Sequence, residues 1–244
     1  MLKVMTVVGT RPEIIRLSRV VEKLDRHCEH VLVHTGQNFD YELNEVFFEE
    51  LGIAKPGHHL DIHGGGHGAM TGAMLQKLEP VLQELRPDRV LVYGDTNSTL
   101  AAALAAAKLH IPIAHVEAGL RSFNMRMPEE INRILTDRVS AQLLCPTATA
   151  VANLAAEGIT HGGHEVGDVM FDAVRHFGAR ASRSSSVLES NGLVGEPFVL
   201  ATCHRAENTE NLPRSRVKSG PCFRFTRAPA RSSKRPGSSS MPIA

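Results

Sequence analysis

The feature that most constrains this chain is an alternation. Short apolar runs at Leu2 to Val8, Val31 to Thr35, Arg89 to Tyr93, Ile113 to Val116 and Gln142 to Cys145 are separated by longer stretches. Those stretches, Pro12 to Leu24, Gly72 to Leu85, Ser98 to Leu109, Glu129 to Ala141 and Ala148 to Glu157, carry apolar residues at helical spacing. Near-continuous apolar strands between amphipathic helices are the signature of βαβ units and of a parallel sheet covered on both faces. The pattern predicts an α/β fold with a doubly wound parallel sheet. Pro12 suits the first turn of its helix, where a missing N–H is no loss. In such sheets ligands sit beyond the carboxyl ends of the strands, so function is sought in the residues that follow each strand.

Composition narrows the class. With 42% hydrophobic and 22% charged residues among 244, the chain has the make-up of a soluble globular protein. No run reaches the ~18 apolar residues of a membrane span, and the N-terminus enters a strand without a leader, so the expected location is the cytoplasm with no membrane partner. Cys28, Cys145, Cys203 and Cys222 form no CxxC pair and read as reduced and structural. The formal net charge of +1 hides an asymmetry: residues 213–244 hold six Arg, two Lys, seven Ser and five Pro but no acid. That stretch cannot bury enough apolar surface to fold and reads as foreign to the rest, either a nucleic-acid or membrane arm or, as preferred here, a shifted reading frame. The expected organisation is a first domain over 1–180, a linker over 181–196, the start of a second domain over 197–212 and the basic tail over 213–244.

Three strand ends carry chemistry. Gly9-Thr10-Arg11-Pro12-Glu13 is a glycine turn entering a helix, whose amides and dipole favour an anion, with Arg11 placed for a phosphate. It is neither GxGxxG nor a Walker loop, and an ordinary turn with a solvated arginine explains it equally well. Asp95 follows the third strand and Glu117 the fourth, and adjacent parallel strands bring two such carboxylates to one rim, where they can serve as acid and base. Asp95 also reads as a helix cap. Pro128, Glu129, Glu130, Asn132 and Arg133 open the next helix, where first-turn acids suit the dipole. His58, His59, His63 and His67 surround Gly64 to Gly66, but their spacing matches no standard zinc pattern and reads as a polar loop, with no metal expected.

Taken in order, these segments resemble a known family. Gly9 to Glu13, Thr35-Gly36-Gln37, Tyr93 to Thr99, His115 to Arg121, Pro128 to Arg133 and Thr202 to Asn208 follow one another as in the non-hydrolysing UDP-N-acetylglucosamine 2-epimerases, over about residues 3–212. The resemblance implies the N-terminal half of a GT-B-type fold with two Rossmann-like domains and a nucleotide-sugar cleft between them. It implies interconversion of UDP-N-acetylglucosamine and UDP-N-acetylmannosamine by anti elimination and re-addition of UDP, with no cofactor. By motif position it assigns Asp95, Glu117, Glu129 and His204 to catalysis and Arg11, Arg16 and Arg133 to the substrate, and it implies a homodimer for the intact form.

Departures from the family are also visible. Arg16 stands where many members have Lys, and Asn38 where better-known bacterial members have His. The run Phe39 to Glu45 is similar to relatives that act on diacetamido UDP-sugars. No Asp-Ser-Gly-Gly segment of the second half follows the His204 motif, so the chain is expected to be truncated and inactive or nearly so, because a cleft lacking one wall holds neither leaving group nor intermediate. An epimerase of a modified UDP-sugar such as a diacetamido uronic acid, a GT-B glycosyltransferase and a non-catalytic nucleotide-binding remnant are the alternatives, and nucleic acid is not the expected partner.

Overall fold

The computed structural model describes residues 1–203 and 222–227. The chain divides into two compact units, residues 1–180 and 181–244. In the first, β1 (Lys3–Val8), β2 (Glu29–His34), β3 (His58–His59), β4 (Arg89–Tyr93), β5 (Ile113–Val116), β6 (Gln142–Cys145) and β7 (Gly163–Glu165) form one sheet. Its order is β3-β2-β1-β4-β5-β6-β7 and every pairing is parallel. This is the doubly wound, Rossmann-like sheet that the alternation predicts. The order reverses between β1 and β4, and the carboxyl ends of these two strands make the topological switch point.

The strands read as continuous apolar runs because both faces are buried. Met5, Val7, Val33, Val90, Val92 and Ile113 pack on one side with α4 (His67–Leu85) and α5 (Asn97–Lys108). Their neighbours Val4, Val8, Leu32, Leu91, Tyr93, Ala114 and Val116 pack on the other with α1 (Arg11–Leu17), α2 (Val21–His27) and α3 (Glu45–Leu51). Successive strand residues point to opposite faces, so a parallel strand covered twice needs no polar alternation. On α5, Ala101, Ala102, Ala103, Ala105 and Ala106 are all buried, since only small side chains let that helix lie between the sheet and α4.

Several elements differ from the expectation. The single helix over Pro12 to Leu24 is two: Ser18 Oγ donates to the Ile15 carbonyl at 2.6 Å, and Val20 N closes a tighter turn onto Leu17 O. A serine hydroxyl that bonds back to the preceding turn competes with the helical ladder and ends it. Strands β3 and β7 have only two and three residues and were too short to register as apolar runs. Helix α8 (Val169–Ser184) has no counterpart among the expected helices, although Asp168 Oδ1 accepts from the Met170 amide at 2.8 Å in the manner of a cap. It extends into the stretch read as a linker, which also contains α9 (Val187–Ser190).

In the second unit β8 (Phe198–Cys203) pairs antiparallel with β9 (Cys222–Arg227). Strand β9 lies inside the tail that was expected not to fold; the local signal is the alternation of Phe223 and Phe225 with Arg224 and Thr226. His204 and the rest of its motif, and residues 213–221 and 228–244, lie outside the described residues. Helices α6 (Pro128–Val139) and α7 (Ala148–Ala156) complete the first unit. Among the described residues no helix is long and apolar enough to cross a membrane.

Candidate active site

The turns after β1 and β4 meet at the switch point, and a buried carboxylate joins them. Glu13 Oε2 accepts from the amides of Gly9 at 2.7 Å and Thr10 at 2.8 Å and from the Thr10 hydroxyl at 3.0 Å. Its Oε1 accepts from Thr96 Oγ1 at 2.7 Å and lies 2.9 Å from Thr99 Oγ1. Glu13 is fully buried, and burial raises its proton affinity above the ordinary carboxylate range against the effect of these hydrogen bonds. The expected anion at the start of α1 is therefore the protein's own carboxyl group: the amides of Gly9 and Thr10 are already taken. The start of α5 is closed likewise, since Gln37 Oε1 accepts from Ser98 N at 3.1 Å and Thr96 Oγ1 from Thr99 N at 3.2 Å. Thr96, not Asp95, is the helix cap, which leaves the Asp95 carboxylate for other work.

Asp95 and Glu117 do share one rim. β4 and β5 pair with Tyr93 opposite Val116, so Asp95 and Glu117 follow immediately at the sheet edge. Glu117 pairs with Arg16 at 2.7 Å, and Asp95 with Arg133, which also holds Glu130 at 3.1 Å. Burial raises the proton affinity of Glu117; Arg16 opposes this, while Asp95 and Asp168 reinforce it. The cations assigned to substrate by the resemblance thus brace the carboxylates: Arg16 one, Arg133 the other. Arg11 instead lies over the Phe47 ring, 5.9 Å from its centroid.

The turn carrying Glu117 is strained and tightly held. Glu117 has φ +70°, a conformation that costs a non-glycine residue about 1–3 kcal/mol and persists only where surroundings enforce it. Enforcement is visible: the Glu117 amide donates to Leu144 O at 3.1 Å, and the Gly119 amide to Asp137 Oδ2 at 3.1 Å. The Gly119 carbonyl accepts from Asn153 Nδ2 at 2.9 Å. Behind the turn lies a buried network that sequence reasoning missed. His115 contacts Asp137 through Nδ1 and the Gly94 carbonyl through Nε2, each at 2.7 Å, while Arg121 bonds Asp137 at 2.8 Å and Glu157 at 2.6 Å. Burial alone would raise the Asp137 carboxyl, but His115 and Arg121 outweigh it and hold the group below its ordinary range. The same contacts push the Arg121 guanidinium up despite burial. His115 thereby ties the carbonyl next to Asp95 to the Glu117 turn. The signals in the sequence were its position on an apolar strand, between Ala114 and Val116, and its place at the head of the motif His115 to Arg121.

The remaining expected residues are dispersed. Glu129 is exposed in the first turn of α6, whereas its neighbour Glu130 is buried and accepts from the Ser122 and Phe123 amides at 3.0 and 2.8 Å. The clustered histidines go to separate partners: His59 to Asp61 at 2.6 Å, His63 to the Phe39 ring and His67 to Asn97. Among the described residues no group of His, Cys, Asp and Glu has metal-binding geometry.

Comparison with known proteins gives this rim its context. The family model for UDP-N-acetylglucosamine 2-epimerase matches residues 22–218. A UDP-2,3-diacetamido-2,3-dideoxy-D-glucuronate 2-epimerase of Pseudomonas aeruginosa is 54% identical over 215 residues, which is 86% of this chain and 59% of that protein. A UDP-N-acetylglucosamine 2-epimerase of Methanococcus maripaludis is 46% identical over 215 residues, or 87% of this chain and 58% of the relative. The crystal structure of Methanocaldococcus jannaschii UDP-GlcNAc 2-epimerase in complex with UDP-GlcNAc and UDP matches with a TM-score of 0.82 at 44% identity, over 86% of this chain and 59% of that one. The chain therefore spans less than two thirds of the length of these relatives. With the fold, the ordered motifs and the matched length in agreement, the chain belongs to the UDP-N-acetylglucosamine 2-epimerase family.

Proposed function

We propose that this chain carries the acid–base half of a UDP-sugar 2-epimerase, with UDP-N-acetylglucosamine as substrate. The observation that carries the reading is the rim itself: two carboxylates, Asp95 and Glu117, at adjacent strand ends, each braced by a guanidinium, with Glu117 raised in proton affinity by burial. A carboxylate with a raised value is a better base toward a carbon-bound proton, and its paired neighbour can serve the other half of the exchange. In this reading the rim removes and returns the C2 proton while UDP departs and re-adds, Arg11 serves the diphosphate, and Glu129 and His204 complete the set. No cofactor is required. A homodimer belongs to the same reading and rests on the resemblance alone, while the cytoplasm is the location expected from the sequence.

The test is deuterium entry at C2 when the purified chain is incubated with UDP-N-acetylglucosamine in D₂O. Slow incorporation, far below ordinary enzymatic turnover and abolished by Asp95→Asn or Glu117→Gln, is expected of a chain that spans this fraction of its relatives. A sugar that stays unlabelled, with no UDP-sugar binding by calorimetry, would refute the proposal. The diacetamido uronic acid substrate is a second reading, favoured by the 54% identical relative and by the run Phe39 to Glu45; presenting both UDP-sugars in competition separates the two.

A further inference from the structure

Glu13 takes no part in the ion pairs of the rim, yet it is the point where both turns are joined. Its contacts come from Gly9 and Thr10, four and three positions away on its own turn, and from Thr96 and Thr99, 83 and 86 positions along the chain. The geometry around Thr99 favours one form of the carboxyl group. Thr99 Oγ1 stands 2.9 Å from Glu13 Oε1 and 2.7 Å from the carbonyl oxygen of Tyr93, but a hydroxyl has one hydrogen to donate. With a bare carboxylate, one of those two oxygen pairs faces the other with no hydrogen between. With a proton on Oε1 both pairs have a hydrogen, and the contact left without one is the longest of the group, Thr96 Oγ1 to Thr99 Oγ1 at 3.1 Å. Glu13 donates to Thr99, Thr99 donates to Tyr93 O, Thr96 Oγ1 donates to Oε1, and the Gly9 and Thr10 donors serve Oε2. Burial of the group favours the same form.

We propose that Glu13 is a positioning residue of the acid–base rim, joining the turn that carries Arg11 to the turn that carries Asp95 as a neutral carboxylic acid. What the joined turns do rests on the epimerase reading; the neutral bridge does not. The charged and titratable groups on the surrounding elements are Arg11 and Arg16 on α1, His34 at the end of β2, Asp95 after β4 and Glu117 after β5. Among the described residues Glu13 forms an ion pair with none of them, and Arg16 is turned to Glu117. An uncharged bridge leaves Arg16 for Glu117 and Arg11 for an incoming anion, where an ionised Glu13 between them on the same short helix would compete for both.

The experiment uses the full 244-residue chain with glutamate ¹³C-carboxyl labelling and an NMR titration from about pH 4 to about pH 8, the range that spans ordinary glutamate ionisation and well above it. The resonance missing in Glu13→Gln identifies Glu13. It is expected to remain protonated when exposed glutamates have ionised. Calorimetric binding of UDP-N-acetylglucosamine is measured in parallel on Glu13→Ala and Glu13→Gln. The glutamine amide keeps an oxygen toward Gly9 and Thr10 and a donor toward Thr99, and the Thr96 hydroxyl, which loses its acceptor, has Thr99 Oγ1 at 3.1 Å to turn to; it should therefore restore most of the roughly tenfold affinity that alanine loses, the size expected for one set of buried polar groups left unpaired. A Glu13 resonance that titrates with the exposed glutamates, or a glutamine variant as damaged as the alanine one, overturns the proposal. A parent chain that binds no UDP-N-acetylglucosamine while Glu13 stays protonated sinks the epimerase reading and leaves the neutral bridge standing.

Discussion

Arg16 on α1 places its guanidinium 2.7 Å from the Glu117 carboxylate after β5, although β4 lies between their strands in the sheet. The path is open because residue 94, at the end of β4, has no side chain. A Cβ there would stand 2.9 Å from Arg16 Nη1 and 3.3 Å from Glu117 Oε2, and Gly94 also has φ +64°. Gly94→Ala is therefore expected to lose about 1–3 kcal/mol of stability in urea unfolding, from backbone strain and the displaced pair together. It should also raise Glu117's proton affinity further. An alanine variant as stable as the parent would show that the pair re-forms elsewhere.

Asp95 and Thr96 are adjacent but do different things. Thr96 caps α5 and bonds Glu13, whereas Asp95 faces Arg133 and is partly exposed. Thr96→Val should cost about 1–2 kcal/mol, the size of a lost cap and a lost buried hydrogen bond. Asp95→Asn should change stability by less than about 1 kcal/mol, as for other partly exposed ion pairs, while abolishing C2 exchange. Equal destabilisation by the two would place Asp95 in the framework instead of the chemistry.

The His115, Asp137, Arg121 and Glu157 network is buried at its centre, with His115 and Asp137 fully enclosed. Asp137→Ala leaves a cation and an imidazole without their shared acceptor. Removing one partner of a buried charge pair costs about 3–5 kcal/mol, and chemical denaturation of this variant should show a loss of that order. A loss under about 1 kcal/mol would mean that water replaces the carboxylate, contrary to the packing.

His34 is buried with its Nδ1 accepting from the Gly36 amide at 3.1 Å, stacked on His59 and, among the described residues, without a partner for Nε2. Burial first, then the neighbouring His59, lowers its pKa from 6.5 to about 4. For a base depressed on folding, the unfolded chain binds the extra proton between those values, so stability falls as pH drops through that window. The fall attributable to His34 is about 3 kcal/mol at most, from a shift of this size. Unfolding free energies measured across the window should show a slope that His34→Gln flattens.

Glu117 works in the opposite sense. Its folded value lies above the ordinary 4.5, so the folded state holds a proton that the unfolded chain has released. Its stabilising contribution is complete below the ordinary value and is lost as pH rises through the folded one. Glu117→Gln should remove this decline, and C2 exchange by the parent should increase over the same interval as the base form appears. A parent whose stability is flat there contradicts the raised value.

Much of this protein was legible along the chain. The runs at β1, β2, β4, β5 and β6 are visible because a strand buried on both faces must be apolar at every position, α4, α6 and α7 because each buries one stripe, and α5 because its alanines are buried almost all round. Glu117 stood out because a carboxylate directly after an apolar strand is unexpected unless it is paired or used, whereas Asp95 also read as a helix cap. Short elements were not legible: two residues at β3 and three at β7 carry no period, and α1 ended early because of one serine hydroxyl.

What only the tertiary structure decided is which polar groups meet. Strand order places β1 beside β4, and that adjacency turns Glu13 from a first-turn acid into the bridge between two turns more than 80 residues apart in sequence. The absence of a side chain at Gly94 lets Arg16 reach Glu117, and the turn after β5 lets His115 and Asp137 close behind it. Apolar patterning is a one-dimensional property, set by the period of each element against water. Hydrogen bonds and ion pairs are set within a few ångströms, so their partners depend on strand order and register, which no single segment contains.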